Sequence, residues 1–304
     1  MLKIRQIVFY VSHTTLSFAL FGNVFQTKKS SNIREVISNI LDMGGKIMIE
    51  REFAAFLKNN TDLNVDDYEQ FEHIDNSVDF ALSIGGDGTF LKTAQQVVKT
   101  NIPVVGINTG RLGFISEVTP YDSRLFFENL FSGKYWLEER SLLQCSFDGE
   151  NQHVSPFALN EIAVLKHDIS SMIDISTYVN GKYLATYLAD GLVVSTPTGS
   201  TAYSLSVGGP IVSPDSKSII ISPVAAHSLS IRPLVLNDSV KIRLEVKSRS
   251  NNFMVAIDGR STSFQDTTTM EITKAPYSIN IVRSMDHSFF DTLRNKMLWG
   301  ADKR

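Results

Sequence analysis

The sequence predicts an α/β amino-terminal domain with a wound, mostly parallel sheet, followed by a mainly β, sandwich-like domain. Three observations carry this prediction. Short apolar runs alternate with segments of helical apolar spacing up to residue 118, whereas β-branched or alternating runs punctuated by turn dipeptides dominate beyond it. The glycines are also gathered: Gly85, Gly86, Gly88, Gly106, Gly110 and Gly113 lie in one stretch, and Gly191, Gly199, Gly208 and Gly209 in another, so ten of 18 mark two segments.

The elements of the first domain, residues 1–118, follow in order. Ile4 to Val11 reads as a buried first strand, and the chain through Ser12-His13-Thr14-Thr15 and Leu16 to Phe25, which contains Gly22 and Asn23, reads as a loop. Ile33, Val36, Ile37, Ile40 and Leu41 have the three-and-four spacing of an amphipathic helix over 33–43, which Gly44-Gly45 ends. Lys46 to Ile49 is a strand, Glu52 to Lys58 a helix, Phe80 to Ile84 a strand, Phe90 to Val98 a helix and Val104 to Ile107 a strand. In the second domain, residues 119–284, strands are expected at 142–147, 161–165, 172–179, 192–195, 239–246 and 253–257, with turns at Asp148-Gly149, Asn180-Gly181 and Asp258-Gly259. Residues 285–304 form a third segment, whose stretch Ser288 to Trp299 has helical spacing and is expected to pack back on the first domain.

Composition narrows the function. With 304 residues, 43% hydrophobic and 20% charged, the chain can bury a real core. Its 29 basic and 32 acidic side chains, net −3, give no global support for gripping a nucleic-acid polymer. The single cysteine, Cys145, permits neither an intrachain disulfide nor a thiolate zinc cluster. No window approaches the roughly 18–20 apolar residues of a spanning helix, so the expectation is a soluble, cytoplasmic protein with no membrane partner. The six histidines lack metal-ligand spacing, and no protein-only metal site is expected.

The first glycine stretch runs from the strand at 80–84 through Gly85-Gly86-Asp87-Gly88-Thr89 into a helix. Such a turn lets backbone N–H groups approach a phosphate without Cβ obstruction. It is neither a Walker loop nor a complete GxGxxG. A carboxylate inside an anion-binding loop has a use if it binds a cation or accepts the proton of an attacking hydroxyl, and both roles belong to phosphoryl transfer. The same tripeptide also serves as a plain tight turn. After the next strand, Gly106 to Phe114 is expected to form a second wall of the site, with Arg111 available to a phosphate and Phe114 to a base. In the second stretch, 190–210, hydroxyl side chains crowd Thr196 to Ser206 as candidate partners for a polyol or adenine, and a short helical turn is expected there with Ser200 or Thr201 as its N-cap.

Gly85-Gly-Asp-Gly-Thr89, Asn160-Glu161 and the long segment Asp190 to Pro210, in that order, closely resemble the bacterial NAD kinase family. The resemblance covers nearly the whole chain. It implies ATP-dependent phosphorylation of the adenosine-ribose 2′-hydroxyl of NAD⁺ to NADP⁺, with a divalent metal, Mg²⁺, carried by the nucleotide, in a crevice between the two domains. By position it makes Asp87 the proton acceptor and assigns substrate contacts to Gly88, Lys92, Asn160, Glu161, Asp190, Thr201, Ala202, Tyr203, Ser204, Leu205, Ser206, Ala225 and Arg260. Ser171 and Leu188 stand where some relatives carry basic residues. The resemblance further implies a homodimer or homotetramer. The alternatives are a lipid or sugar kinase sharing the Gly-Gly-Asp-Gly-Thr loop, and a non-catalytic dinucleotide sensor.

Overall fold

The computed structural model describes residues 15–23, 30–110, 113–148, 155–168 and 171–300. The chain divides into two compact units, one holding the chain through Glu139 and again from Ile279, the other Arg140–Ser278.

The first unit contains β1 (Ser17–Gly22), α1 (Ser30–Asp42), β2 (Lys46–Glu50), α2 (Arg51–Asn60), β3 (Glu69–Phe71), β4 (Phe80–Gly85), α3 (Asp87–Val97), β5 (Val104–Asn108) and α4 (Ser123–Phe131). Its strands lie in the order β5-β4-β1-β2-β3, all parallel where paired. The chain winds outward from β1 in one direction and then from β4 in the other, so a topological switch point falls between β1 and β4. Ligands of wound sheets bind beyond the carboxyl ends of strands at such a point, which is where β4 delivers the Gly-Asp-Gly turn.

The strand expected at 4–11 lies outside the described residues. The first described strand is instead β1, in the stretch read as a loop. Phe18, Ala19 and Leu20 are fully buried, because a strand flanked by parallel neighbours and covered on both faces needs no polar alternation. Gly22 ends it under the Phe53 ring, which a Cβ there would meet at 2.0 Å. Two further elements of this unit escaped the sequence pattern: β3, which is only three residues long, and α4, which lies beyond the expected boundary at residue 118. Phe126, Phe127 and Leu130 of α4 pack with Phe18, Phe80 and Val36 in the first core, and this apolar face keeps α4 in the first unit.

Strand β6 (Tyr135–Phe147) carries the chain into the second unit, followed by β7 (Phe157–Ala158), β8 (Glu161–Lys166), β9 (Ile173–Val179), β10 (Lys182–Ala189), β11 (Gly191–Ser195), α5 (Tyr203–Ser206), β12 (Ser218–Val224), β13 (Leu234–Asn237), β14 (Ile242–Lys247), β15 (Asn252–Ile257) and β16 (Arg260–Gln265). β17 (Thr269–Ser284) returns the chain to the first unit, where α6 (Phe289–Met297) follows with Ser288 accepting a capping bond from the Phe290 N–H. One antiparallel sheet has the order β13-β12-β11-β8-β15-β16, and β10, β9, β14 and β17 pair antiparallel in another. Side chains from both sheets, among them Val164, Val194, Ile175 and Leu244, share one core, the arrangement of a sandwich. Asn180-Gly181 and Asp258-Gly259 are hairpin turns with positive φ at both residues, as their sequence requires.

Candidate active site

In the first unit the site is built on the start of α3. Gly85 is required there because a Cβ would meet Thr89 Oγ1 at 2.2 Å, whereas Gly86 and Gly88 face open space. Asp87 occupies the first turn of the helix, and its carboxylate is engaged across the sheet by the loop after β5. Oδ2 accepts from the Phe114 N–H at 2.8 Å, and Oδ1 accepts from the Ile115 and Ser116 N–H groups at 3.2 and 3.1 Å. Gly113 lies against this carboxylate, so that a Cβ at 113 would meet Asp87 Oδ1 at 2.1 Å. Phe114 is thus brought to Asp87 through its backbone, while its ring lies 5.8 Å from Lys296 Nζ of α6. Lys92 is exposed and lies about 140° around the helix from Asp87. It is close enough to Glu50 to oppose the rise that burial imposes on that carboxyl. Arg111 lies outside the described residues.

In the second unit Asp258 repeats the device. At φ +46 in the β15–β16 turn, it accepts from the Leu159 N–H at 2.7 Å through Oδ2, and from Asn160 and Glu161 at 2.9 and 3.1 Å through Oδ1. Asn160 is 8% exposed, yet its Oδ1 has no hydrogen-bond partner among the described residues, and neither does the buried Glu161 Oε2. A buried acceptor left open by its own chain is ordinarily met by water or by a ligand. Burial and the adjacent Asp258 charge push the Glu161 carboxyl up to about 7, opposed by a hydrogen bond from the Tyr203 backbone. The Tyr203 phenol is raised by burial and by the charges of Glu161 and Asp190, which places these three side chains together. Asp190 pairs with Lys166 at 2.6 Å. Ala225, at φ +47, follows Val224, whose carbonyl accepts the Asp190 N–H. Arg260 donates to the Phe157 carbonyl at 3.2 Å, and the Asp258 charge opposes the fall that burial imposes on it.

The hydroxyl-rich segment is tied to neighbouring backbone at several positions. Thr196 Oγ1 donates to the Leu159 carbonyl, Ser200 Oγ to that of Pro197, and Thr201 Oγ1 to that of Thr198, while Ser204 shares a hydrogen bond with Ser222. Short side chains close to their own backbone satisfy it first, so these hydroxyls mainly build the loop. The helical turns start elsewhere than expected. A 3-10 turn at Thr198–Thr201 begins after Pro197, and α5 begins after Ala202, with no side-chain cap at either. Gly199 is fixed by proximity, since its Cβ would meet the Asn160 carbonyl at 2.1 Å. Ala202 and Leu205 are half-buried and Ser206 is exposed.

Sequence reasoning missed Asp258, read only as a turn residue, together with Lys166. Asp258 could have been found from the pairing of an Asp-Gly turn with an Asn-Glu strand entry, but only if the register of β8 against β15 were known.

Two family models match the chain: the ATP-NAD kinase N-terminal domain over residues 25–135 and the ATP-NAD kinase C-terminal domain over 159–284. The NAD kinase of Bacteroides fragilis is 52% identical over 95% of this chain and 100% of its own length, and that of Porphyromonas gingivalis is 41% identical over 94% and 99%. Among solved structures, an Archaeoglobus fulgidus NAD kinase in complex with ATP aligns with a TM-score of 0.70 at 25% identity, covering 93% of this chain and 99% of that one. The yeast NADH kinase complexed with NADH shares the fold, with a TM-score of 0.83 at 22% identity over 95% of this chain and 89% of its own. The two matched domains and these near full-length likenesses establish that the chain belongs to the NAD kinase family.

Proposed function

We propose that the protein transfers the γ-phosphoryl group of ATP to the adenosine-ribose 2′-hydroxyl of NAD⁺, releasing NADP⁺ and ADP. The observation that carries the assignment of roles is the Asp87 carboxylate, aimed by three amides beside two glycines that leave the helix start open. An ionised carboxylate offers about four lone-pair sites, so Oδ2, bonded by the Phe114 N–H, retains capacity for a hydroxyl. Asp87 takes the 2′-hydroxyl proton as the ribose oxygen bonds to the γ-phosphorus and the bond to the ADP oxygen breaks. The N–H groups at the start of α3, with Lys92, offset the phosphate charge.

In the second unit, Asn160 Oδ1 and Glu161 Oε2 accept donors of the dinucleotide. Asp190, Tyr203, the segment Thr201 to Ser206, Ala225 and Arg260 complete the contacts. Among the described residues no three His, Cys, Asp or Glu side chains converge on a metal position. Mg²⁺ is taken to enter on the nucleotide phosphates. The described residues include no helix long and apolar enough to cross a membrane, and we take the enzyme to be a cytoplasmic homodimer or homotetramer.

The test is ATP-dependent NADP⁺ formation by the wild type and Asp87→Asn. Removing a general base is expected to lower turnover by at least about 100-fold, with NAD⁺ binding retained. Wild-type turnover in the variant would refute the role of Asp87, and no phosphorylation of NAD⁺ by the wild type would refute the activity.

A further inference from the structure

The loop that aims Asp87 is itself held from behind. Arg283, near the end of β17, is 1% exposed. Its Nη1 donates to the Ile115 carbonyl at 2.8 Å, and its Nε donates to Glu138 Oε2 at 2.7 Å. Glu117 Oε2 lies 3.3 Å from Nη1 and is also bonded by His287 Nδ1. The Ile115 carbonyl and the Ser116 N–H are the two ends of one planar peptide group. Arg283 therefore grips one end of that group while the other donates to Asp87 Oδ1 at 3.1 Å. A charge-assisted bond to the carbonyl polarises the peptide, strengthens its N–H as a donor and fixes the plane in which the N–H points.

We propose that Arg283 is a positioning residue for phosphoryl transfer, setting the orientation of the Asp87 carboxylate through the 115–116 peptide group. The proposal rests on the reading of Asp87 as proton acceptor. The fork of a guanidinium is needed because one side chain must meet the carbonyl and two carboxylates at once, which the single nitrogen of lysine cannot reproduce in the same geometry.

The experiment compares Arg283→Lys, Asp87→Asn and the combined variant in the full-length enzyme, reading kcat, KM for NAD⁺, the unfolding midpoint and hydrogen exchange at the Phe114, Ile115 and Ser116 amides. Arg283→Lys is expected to lower kcat by about 10–100-fold with KM little changed, the scale of a small misplacement of a reacting group. Exchange at the three amides should accelerate, and the combined variant should be no slower than Asp87→Asn alone. Unchanged kcat overturns the proposal, and so does a kcat penalty carried in full into the Asp87→Asn background, the signature of a general structural defect. Should Asp87→Asn itself retain wild-type turnover, the proton-acceptor reading fails separately; amide exchange then decides for Arg283, and unchanged protection overturns its role. If Arg283→Lys does not fold, Glu138→Gln keeps the arginine but removes a carboxylate that aims it. This variant should speed exchange at the same amides, and unchanged exchange there overturns the proposal.

Discussion

Asp87 in the first unit and Asp258 in the second each accept hydrogen bonds from three consecutive backbone N–H groups, at 114–116 and 159–161. Their surroundings differ. Asp87 stands at a helix start beside glycines facing open space. Asp258 sits in a hairpin turn, where burial pushes its carboxyl up against the lowering effect of the three amides and Arg260. The same device thus holds one carboxylate at an open helix start and makes the other a buried clamp on the backbone of Leu159, Asn160 and Glu161. Three consecutive amides fix an oxygen pair in direction as well as in place.

The sharpest way to separate the two roles is Gly113→Ala. The new Cβ would collide with the end of a side chain, Asp87 Oδ1 at 2.1 Å, which can swing aside without disturbing the backbone. Turnover is expected to fall about 100-fold because the carboxylate leaves its aimed position, and the amides of 114–116 that it releases should lower the unfolding midpoint as well. Steady-state kinetics beside thermal unfolding checks both halves, and a large loss of stability with intact turnover would remove the distinction.

A change at the clamp should act on binding and stability. Asp258→Asn replaces an acceptor with an amide that donates toward converging N–H groups, leaving at least one unpaired. Loss of a charged acceptor and an orphaned donor are expected to cost about 2–3 kcal/mol by urea unfolding. KM for NAD⁺ should rise more than kcat falls, because the groups displaced are Asn160 and Glu161. A pure kcat effect would mean that the two carboxylates are not divided as argued.

The sequence made much of this legible where chemistry is local. The strand, glycine turn and helix around Asp87 follow from apolar spacing, and the turns at Asn180-Gly181 and Asp258-Gly259 follow from their own residues. What stayed hidden depends on distant partners. Asp258 and Asn160 are 98 residues apart, and Arg283 and Ile115 are 168 apart, so their meeting is set by strand register, which no local pattern encodes. β1 reads as a loop because Gly22 and Asn23 interrupt its apolar run, although its burial on both faces is that of the strands recognised at 80–84 and 104–107. The hydroxyls of 196–204 make local bonds that composition alone does not show. Their composition suggests a ligand, but a side chain that reaches its own loop's carbonyls bonds there first.

The smallest expected effect tests what the clamp does to Glu161. Burial and the Asp258 charge raise this carboxyl from its ordinary 4.5 to about 7, so over that interval the folded protein holds a proton that the unfolded chain has released. Stability contributed by this group is therefore fully present below about pH 4.5 and is lost as pH rises toward 7, after which it stays lost. Glu161→Gln removes the titration and should be more stable than the wild type above pH 7, by about 2 kcal/mol once partial solvent exposure is allowed for, with the difference shrinking as pH falls and closing only below about pH 4.5. Urea unfolding of both proteins from pH 5 to pH 8 reads this directly. In the same range, NAD⁺ affinity of the wild type should vary with pH as the carboxyl passes from donor to acceptor, and that of the variant should stay flat. A wild-type stability that does not fall relative to the variant across this range would show that Asp258 holds the amides of 159–161 without burdening its neighbour, and the second unit would then resemble the first more closely than their surroundings suggest.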